Sequence, residues 1–218
     1  MRAFRTGLTL ALLATGLAAQ GEQDAKVDKD KDKAKPKVLE VGMKVPADLK
    51  LRDLDGETVE FGKLRGQVVF VHFWSTTCPW ERLAEPKIAE IEQDYADRDV
   101  VVFAINANQN EIGAEPDDEA FEADDPKDLP YQGLRETLAE KELEFRVLVD
   151  HGNVVSNLLQ ARSTPHCFVI DAEGTLRYAG ALDDDGRSEE AENPYVRQAI
   201  DALLAGEPVE TQSSRPYG

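Results

Sequence analysis

A chain of 218 residues with 41% hydrophobic content has material for one core, so a single domain with tails is the natural reading. Its formal net charge of −18, from 43 acidic against 25 basic residues, argues against nucleic acid as a partner. Only two cysteines are present, Cys78 and Cys167, and counting alone leaves a structural disulfide and a redox couple both open.

In chain order, Arg2 and Arg5 precede an apolar stretch from Leu8 to Ala19, and Leu17-Ala18-Ala19 offers a cleavage site. Residues 1–19 therefore read as a secretory signal peptide, shorter than the ~20 apolar residues of a membrane-spanning helix. The mature chain is expected to be exported, periplasmic or extracellular, with no stable membrane span and in an oxidising compartment. Residues 20–37 are rich in Lys and Asp and nearly free of apolar side chains, as a disordered linker is. A domain follows over 38–207. It opens with Leu49 to Leu51 and Thr58 to Phe61 on either side of Asp55-Gly56, a hairpin signal.

The stretch from Val68 to Pro86 organises the rest. Val68 to Trp74 is a near-continuous apolar run, as a strand buried on both faces would be. Ser75, Thr76 and Thr77 form a polar break with N-capping chemistry, and then the period changes, with apolar or small residues at Trp80, Leu83, Ala84, Ile88, Ile91 and Tyr95. A strand hands over to a helix at Cys78, where unpaired backbone N–H groups and the helix dipole favour an anion and so a nucleophilic sulfur. Pro79 suits the first helical turn, whereas Pro86 interrupts the helix interior.

Further on, Val100 to Ile105 reads as a buried strand, and residues 111–130 as an acidic, proline-bearing insertion with at most a short helix near Glu119 to Ala123. Leu134 to Leu143 is helical by spacing, Phe145 to Val149 a strand, and Val154 to Ala161 a helix capped by Asn153. Strands are expected at Cys167 to Ile170 and Thr175 to Tyr178, around a turn at Ala172-Glu173-Gly174. The last helix has Asn193 as its cap, Pro194 first and Gly206 just past its end. Residues 208–218 form a tail without a core pattern.

These residues resemble the thioredoxin-like superfamily, in the branch of alkyl hydroperoxide reductases, thiol-specific antioxidants and other redoxins. The likeness rests on Phe73-Trp74, Cys78-Pro79 and the kinking Pro86, and on Ser163-Thr164-Pro165 followed by Phe168 to Asp171 and Glu173-Gly174, which is similar to the cis-proline loop and the strand after it. The resemblance implies an α/β thioredoxin-like fold: a central mixed β-sheet flanked by helices, with an N-terminal β-hairpin extension. It also implies that Cys78, Thr164 and Pro165 form the catalytic centre.

Where a thioredoxin carries its second active-site cysteine, this chain has Glu81, so a simple Cys-x-x-Cys dithiol cycle is excluded. Glu81 would disfavour a Cys78 thiolate and Arg82 favour it, unless both only decorate a solvated helix face. Cys167 lies two residues past Pro165 and so on the same strand face, turned toward the Cys78 helix, as a buried core thiol more readily than as a disulfide partner. His166 points the other way, although a twisted loop would bring Cys78, His166 and Cys167 toward a soft metal. Peroxiredoxins place a proline, a threonine and an arginine where this chain has Val71, Ser75 and Pro165; only the hydroxyl survives, which weakens a fast peroxidase reading unless Arg82 or Arg162 substitutes. Ser75, Thr77 and Trp80 are further candidates to assist.

The function expected is an exported thiol-based oxidoreductase. Its Cys78 attacks a disulfide or peroxide and is regenerated by an external thiol or thioredoxin-type reductant, with no cofactor or metal. The competing readings are a non-catalytic module that holds extended peptide in the cis-proline groove, and a Cys/His metal-handling protein.

Overall fold

The computed structural model describes residues 38–187 and 191–217. The expected signal peptide and linker lie outside the described residues. The elements in order are β1 Lys50–Asp53, β2 Thr58–Glu60, β3 Val68–Phe73, α1 Pro79–Tyr95, β4 Val100–Asn106, α2 Gln109–Ile112, α3 Gln132–Glu140, β5 Val147–Val149, α4 Val154–Leu159, β6 Cys167–Ile170, β7 Leu176–Gly180 and α5 Tyr195–Leu204.

The strands form one sheet in the order β2-β1-β5-β4-β3-β6-β7. It is mixed: β3 pairs parallel with β4 and antiparallel with β6, while β1 pairs antiparallel with both β2 and β5. This is the thioredoxin-like architecture, with the expected hairpin β1–β2 extending the sheet beyond β5.

The period-2 geometry of strands divides the core into two layers. Val68, Phe70, Val102, Ala104, Val147, Cys167 and Val169 face a layer that includes Ala84, Ile88 and Ile91 of α1, Leu134 of α3 and Val196 and Ile200 of α5. Their neighbours Val69, Val71, Phe73, Phe103, Leu148, Phe168 and Ile170 face the other layer, with Val155 and Leu159 of α4 and with Leu39, Val45 and Phe61 from the N-terminal segment. Every residue of β3 is buried, as the unbroken apolar run requires of a strand covered on both faces.

Several local expectations are corrected. The buried stripe of α1 is Glu81, Ala84, Glu85, Ile88, Ile91 and Tyr95, while Leu83 is 47% exposed and Trp80 half-buried. This stripe follows the helical period better than one built on Trp80 and Leu83, and it brings two carboxylates inward because each finds a partner there. Asn153 occupies the N-terminal flank of α4 but makes no cap; the Asp150 carboxylate accepts from the backbone N–H groups of Val155 and Ser156 instead. Pro194, rather than Asn193, flanks α5, because the Asn193 side chain is drawn to Asp184. The acidic insertion does carry a 3-10 turn, at Glu119–Glu122, yet its first residue, Glu111, belongs to α2.

The tail is not loose. Val209 is buried, Ser213 bridges Ala179 of β7, and Ser214 Oγ accepts from Ala181 N–H at 2.9 Å. Tyr217 Oη donates to Asp183 at 2.9 Å.

Candidate functional site

Cys78 is the residue flanking the N-terminus of α1, in extended conformation, with Pro79 first in the helix and Arg82 N–H donating to the Cys78 carbonyl at 3.3 Å. Its thiol donates to the Thr164 carbonyl at 3.0 Å, and the Thr164–Pro165 bond is cis. Sequence-predicted residues 86 positions apart in the chain are thereby brought together, because β3 and β6 are adjacent and antiparallel and both approach the same end of the sheet. Cys78 and Cys167 are both free thiols, the first half-buried and the second fully buried. Trp80 packs against Tyr217 of the tail with ring centroids 5.8 Å apart, and Arg187 lies 5.1 Å over its ring. Arg82 and Arg162 are exposed, and neither has an ion-pair partner among the described residues.

The loop entering the helix is held by a residue that sequence reasoning left in the insertion. Glu111 accepts from Ser75 Oγ at 2.6 Å, Thr76 N–H at 3.1 Å and Thr77 Oγ1 at 3.0 Å. It also accepts from Asn106 Nδ2 at 2.7 Å and Asn108 Nδ2 at 2.9 Å. Burial pushes the Glu111 carboxyl up, but the hydrogen bonds from Ser75, Asn106, Thr76 and Thr77 outweigh it and hold the group below the ordinary carboxylate range. Ser75 and Thr77 therefore do not cap α1; their hydroxyls tie the loop to the end of β4. The signal available in the sequence was a lone acid close to several hydroxyl and amide side chains, Asn106, Asn108 and Ser75 to Thr77.

Glu81 is not on a solvated face. It is wholly buried, and its Oε1 lies 3.0 Å from Nδ1 of His72, which is wholly buried as well. Desolvation raises the Glu81 carboxyl, against the opposing pull of the His72 hydrogen bond and charge. The outer atoms of the pair, Glu81 Oε2 and His72 Nε2, have no partner among the described residues. His72 stands in register with Cys167 across β3 and β6, so the carboxyl, the imidazole and the second thiol share the space between sheet and α1. Burial, and then Glu81, push the Cys167 thiol well up, consistent with an inert core thiol. Next along the helix, the Glu85 carboxylate accepts from Trp74 Nε1 at 3.1 Å and pairs with Lys141 at 2.7 Å.

A family model for the AhpC/TSA family matches residues 41–179, more than half of the chain and across both Cys78 and Pro165. The chain belongs to the AhpC/TSA family. It is similar to the thiol-disulfide oxidoreductase ResA of Halalkalibacterium halodurans, with 37% identity over 126 residues, 58% of this chain and 60% of that protein. The match thus spans less than two thirds of that relative. ResA of Bacillus cereus is 24% identical over 63% of this chain and 68% of its own length. Among solved structures, a hypothetical protein of Sinorhizobium meliloti superposes with a TM-score of 0.65 at 27% identity, covering 83% of this chain and 92% of its own.

In this AhpC/TSA chain, then, the Cys78 sulfur meets the carbonyl of the cis Thr164–Pro165 bond, with Ser75 and Thr77 tied to Glu111 in the loop before it and Trp80 and Arg82 on the first turn of α1. Arg162 stands in the same loop as the cis-proline. Cys167 is separated from this centre by its place in the core. The grouping of Cys78, His166 and Cys167 does not form, because His166 lies on the opposite strand face, its ring 4.4 Å from that of Phe168 and its Nδ1 accepting from Arg162 N–H. Burial, aided by the Arg162 charge, pulls the His166 imidazole down to about 4. Among the described residues no cluster of three or more His, Cys, Asp or Glu is placed to hold a metal ion, and no helix is long and apolar enough to cross a membrane.

Proposed function

We propose that the chain is an exported thiol-disulfide oxidoreductase working through one nucleophile. The Cys78 thiolate attacks a substrate disulfide; a Cys78–substrate S–S bond forms, the substrate S–S bond breaks, and the departing thiolate takes a proton from solvent. A first external thiolate then attacks Cys78 Sγ and frees the second substrate thiol. A second external thiolate releases Cys78 and leaves as the oxidised external disulfide, so two external thiols supply the two electrons. A small thiol and a thioredoxin-type protein both fill that role.

The observation that carries this reading is the Cys78 sulfur at 3.0 Å from the Thr164 carbonyl, beside cis-Pro165, with a carboxyl rather than a thiol at position 81. The relatives named thiol-disulfide oxidoreductases support a disulfide substrate over a peroxide. So does Pro165 in the slot where peroxiredoxins carry an arginine, since peroxide activation needs donors aimed at the breaking O–O bond. Export rests on the leader-like composition of residues 1–19.

The test is mass spectrometry of the chain after one equivalent of oxidised glutathione, and separately of hydrogen peroxide. A mixed disulfide on Cys78, formed faster than any sulfenic acid, is expected. A Cys78–Cys167 linkage as the main product would refute the external-thiol route. A Cys78 that resists alkylation at neutral pH would instead favour a non-catalytic module for extended peptide.

A further inference from the structure

Beside the Cys78 centre a cleft of about 390 Å3 opens at the ends of β3 and β4, bounded by α4 and the cis-proline loop. Its walls include Ser75 and Thr164, the residue whose carbonyl holds the Cys78 thiol. The lining is unusual for so acidic a chain. Its lining residues include Asn108, Asn153, Asn157, Arg162 and Ser163, and no Asp or Glu.

Three of these groups are unspent. Ser163 Oγ is buried without a hydrogen-bond partner, and the side chains of Asn157 and Arg162 have none among the described residues. Many other arginines are committed: Arg52 to Asp118, Arg135 to Asp55, Arg146 to Asp53, Arg177 to Asp171 and Arg197 to Asp94. The neighbouring acid Glu111 spends its carboxylate on five donors. An uncommitted cation with free amide and hydroxyl groups, in a chain of net charge −18, marks a place built for a negative group.

We infer that this cleft binds a carboxylate-bearing small disulfide or thiol of tripeptide size, and so sets the class of external thiol or disulfide with which Cys78 exchanges. The inference rests on the thiol-disulfide reading above and deepens it. Size favours a small molecule, since the volume lies at the lower end of the ~300–1,000 Å3 usual for small-molecule sites. Charge favours it too. An acidic protein partner would meet the repulsion of the whole surface, whereas a small anion meets chiefly the groups in the cleft. In the exchange, Cys78 Sγ bonds to one sulfur of the disulfide, the S–S bond breaks, and the other sulfur leaves as a thiolate that is protonated by solvent.

The experiment compares second-order rates of Cys78 in the full chain with oxidised glutathione (anionic), bis(2-hydroxyethyl) disulfide (neutral) and cystamine (cationic). Each rate is divided by that of a free small thiol with the same disulfide. The anionic disulfide is expected to lead the neutral one by about fivefold, the upper range of a solvent-exposed ion pair, and the lead should shrink as salt is raised. Arg162→Gln should bring the ratio close to one with its far-ultraviolet circular dichroism unchanged, and Arg162→Lys, which keeps the charge, should keep the lead. Cystamine reacting fastest, or a ratio unchanged in Arg162→Gln, would overturn the inference while leaving the thiol-disulfide reading intact. A Cys78 inert toward all three would overturn that reading, and this inference with it.

Discussion

Removing the Glu81 carboxyl and the His72 imidazole one at a time, and then together, separates a structural pair from two independent core residues. Both side chains are wholly buried and meet at 3.0 Å, so deleting either leaves the other as an uncompensated polar group in the core. Glu81→Leu and His72→Phe are each expected to cost about 3–5 kcal/mol. The double variant should recover most of that loss, to within about 1 kcal/mol of the parent, because replacing both partners by apolar groups removes the desolvation cost along with the contact. Shape permits it: the His72 ring already packs 5.4 Å from that of Phe145 and 5.8 Å from that of Phe70. Urea melts give the free energies, and in thermal melts each single variant should fall by roughly 6–20 °C at about 2–4 °C per kcal/mol. The pH dependence has a definite sign. Burial raises Glu81 above its ordinary 4.5, so the folded chain keeps a proton that the unfolded chain releases. That contribution is full below the ordinary value and is lost as pH rises through the folded one, so the double variant should lose less stability toward neutral pH than the parent. Single costs that simply add in the double variant, within about 0.5 kcal/mol, would refute the pairing.

Three further outcomes are expected. His166, held neutral down to about 4 against an ordinary 6.5, should cost the fold about 2 kcal/mol between pH 7 and pH 5, because the unfolded chain takes up a proton there that the folded chain refuses; urea midpoints of His166→Phe should show a flatter acid limb. Glu111→Ala frees the Ser75–Thr77 loop and should slow iodoacetamide alkylation or disulfide exchange at Cys78 by about tenfold to a hundredfold, the scale of a small misplacement of reacting atoms, with far-ultraviolet circular dichroism unchanged. Glu81→Cys restores the two-cysteine spacing and should give an intramolecular disulfide between Cys78 and the introduced thiol on oxidation, detected by peptide mapping, together with the stability loss of an orphaned His72.

Much of the sheet was legible because its strands are strongly periodic. Val68–Phe73 and Cys167–Ile170 were found within a residue, and the approach of the Cys78 sulfur to the Thr164 carbonyl follows from two motifs lying on adjacent strands. What stayed hidden was polar and long-range. Glu81 and Glu111 look like ordinary surface acids in a chain with 43 of them, and only the fold supplies the imidazole and the five donors that draw them inward. Helix flanks misled for a related reason. Asn153 and Asn193 have capping chemistry, but Asp150 takes the helix N–H groups in the first case and Asp184 holds the asparagine amide in the second, and local propensity does not rank such rivals. The tail was opaque because, beyond the single buried Val209, its anchors are a serine and a tyrosine rather than an apolar stripe.

The bridge between Ser213 and β7 bears on what the edge of the sheet leaves exposed. An open sheet ends in rows of unpaired N–H and C=O groups that invite another chain to add a strand. On one side the outermost strand, β2, is three residues long and carries Glu60, too short and too charged to template much. On the other, β7 is longer, and Ala179 gives its N–H to the Gln212 carbonyl and takes the Ser214 N–H in return. The last few residues thus act as a selvedge. A chain trimmed after Thr211 keeps the buried Val209 and is expected to self-associate through β7 more than the untrimmed chain does, visible as light scattering that rises more steeply with concentration.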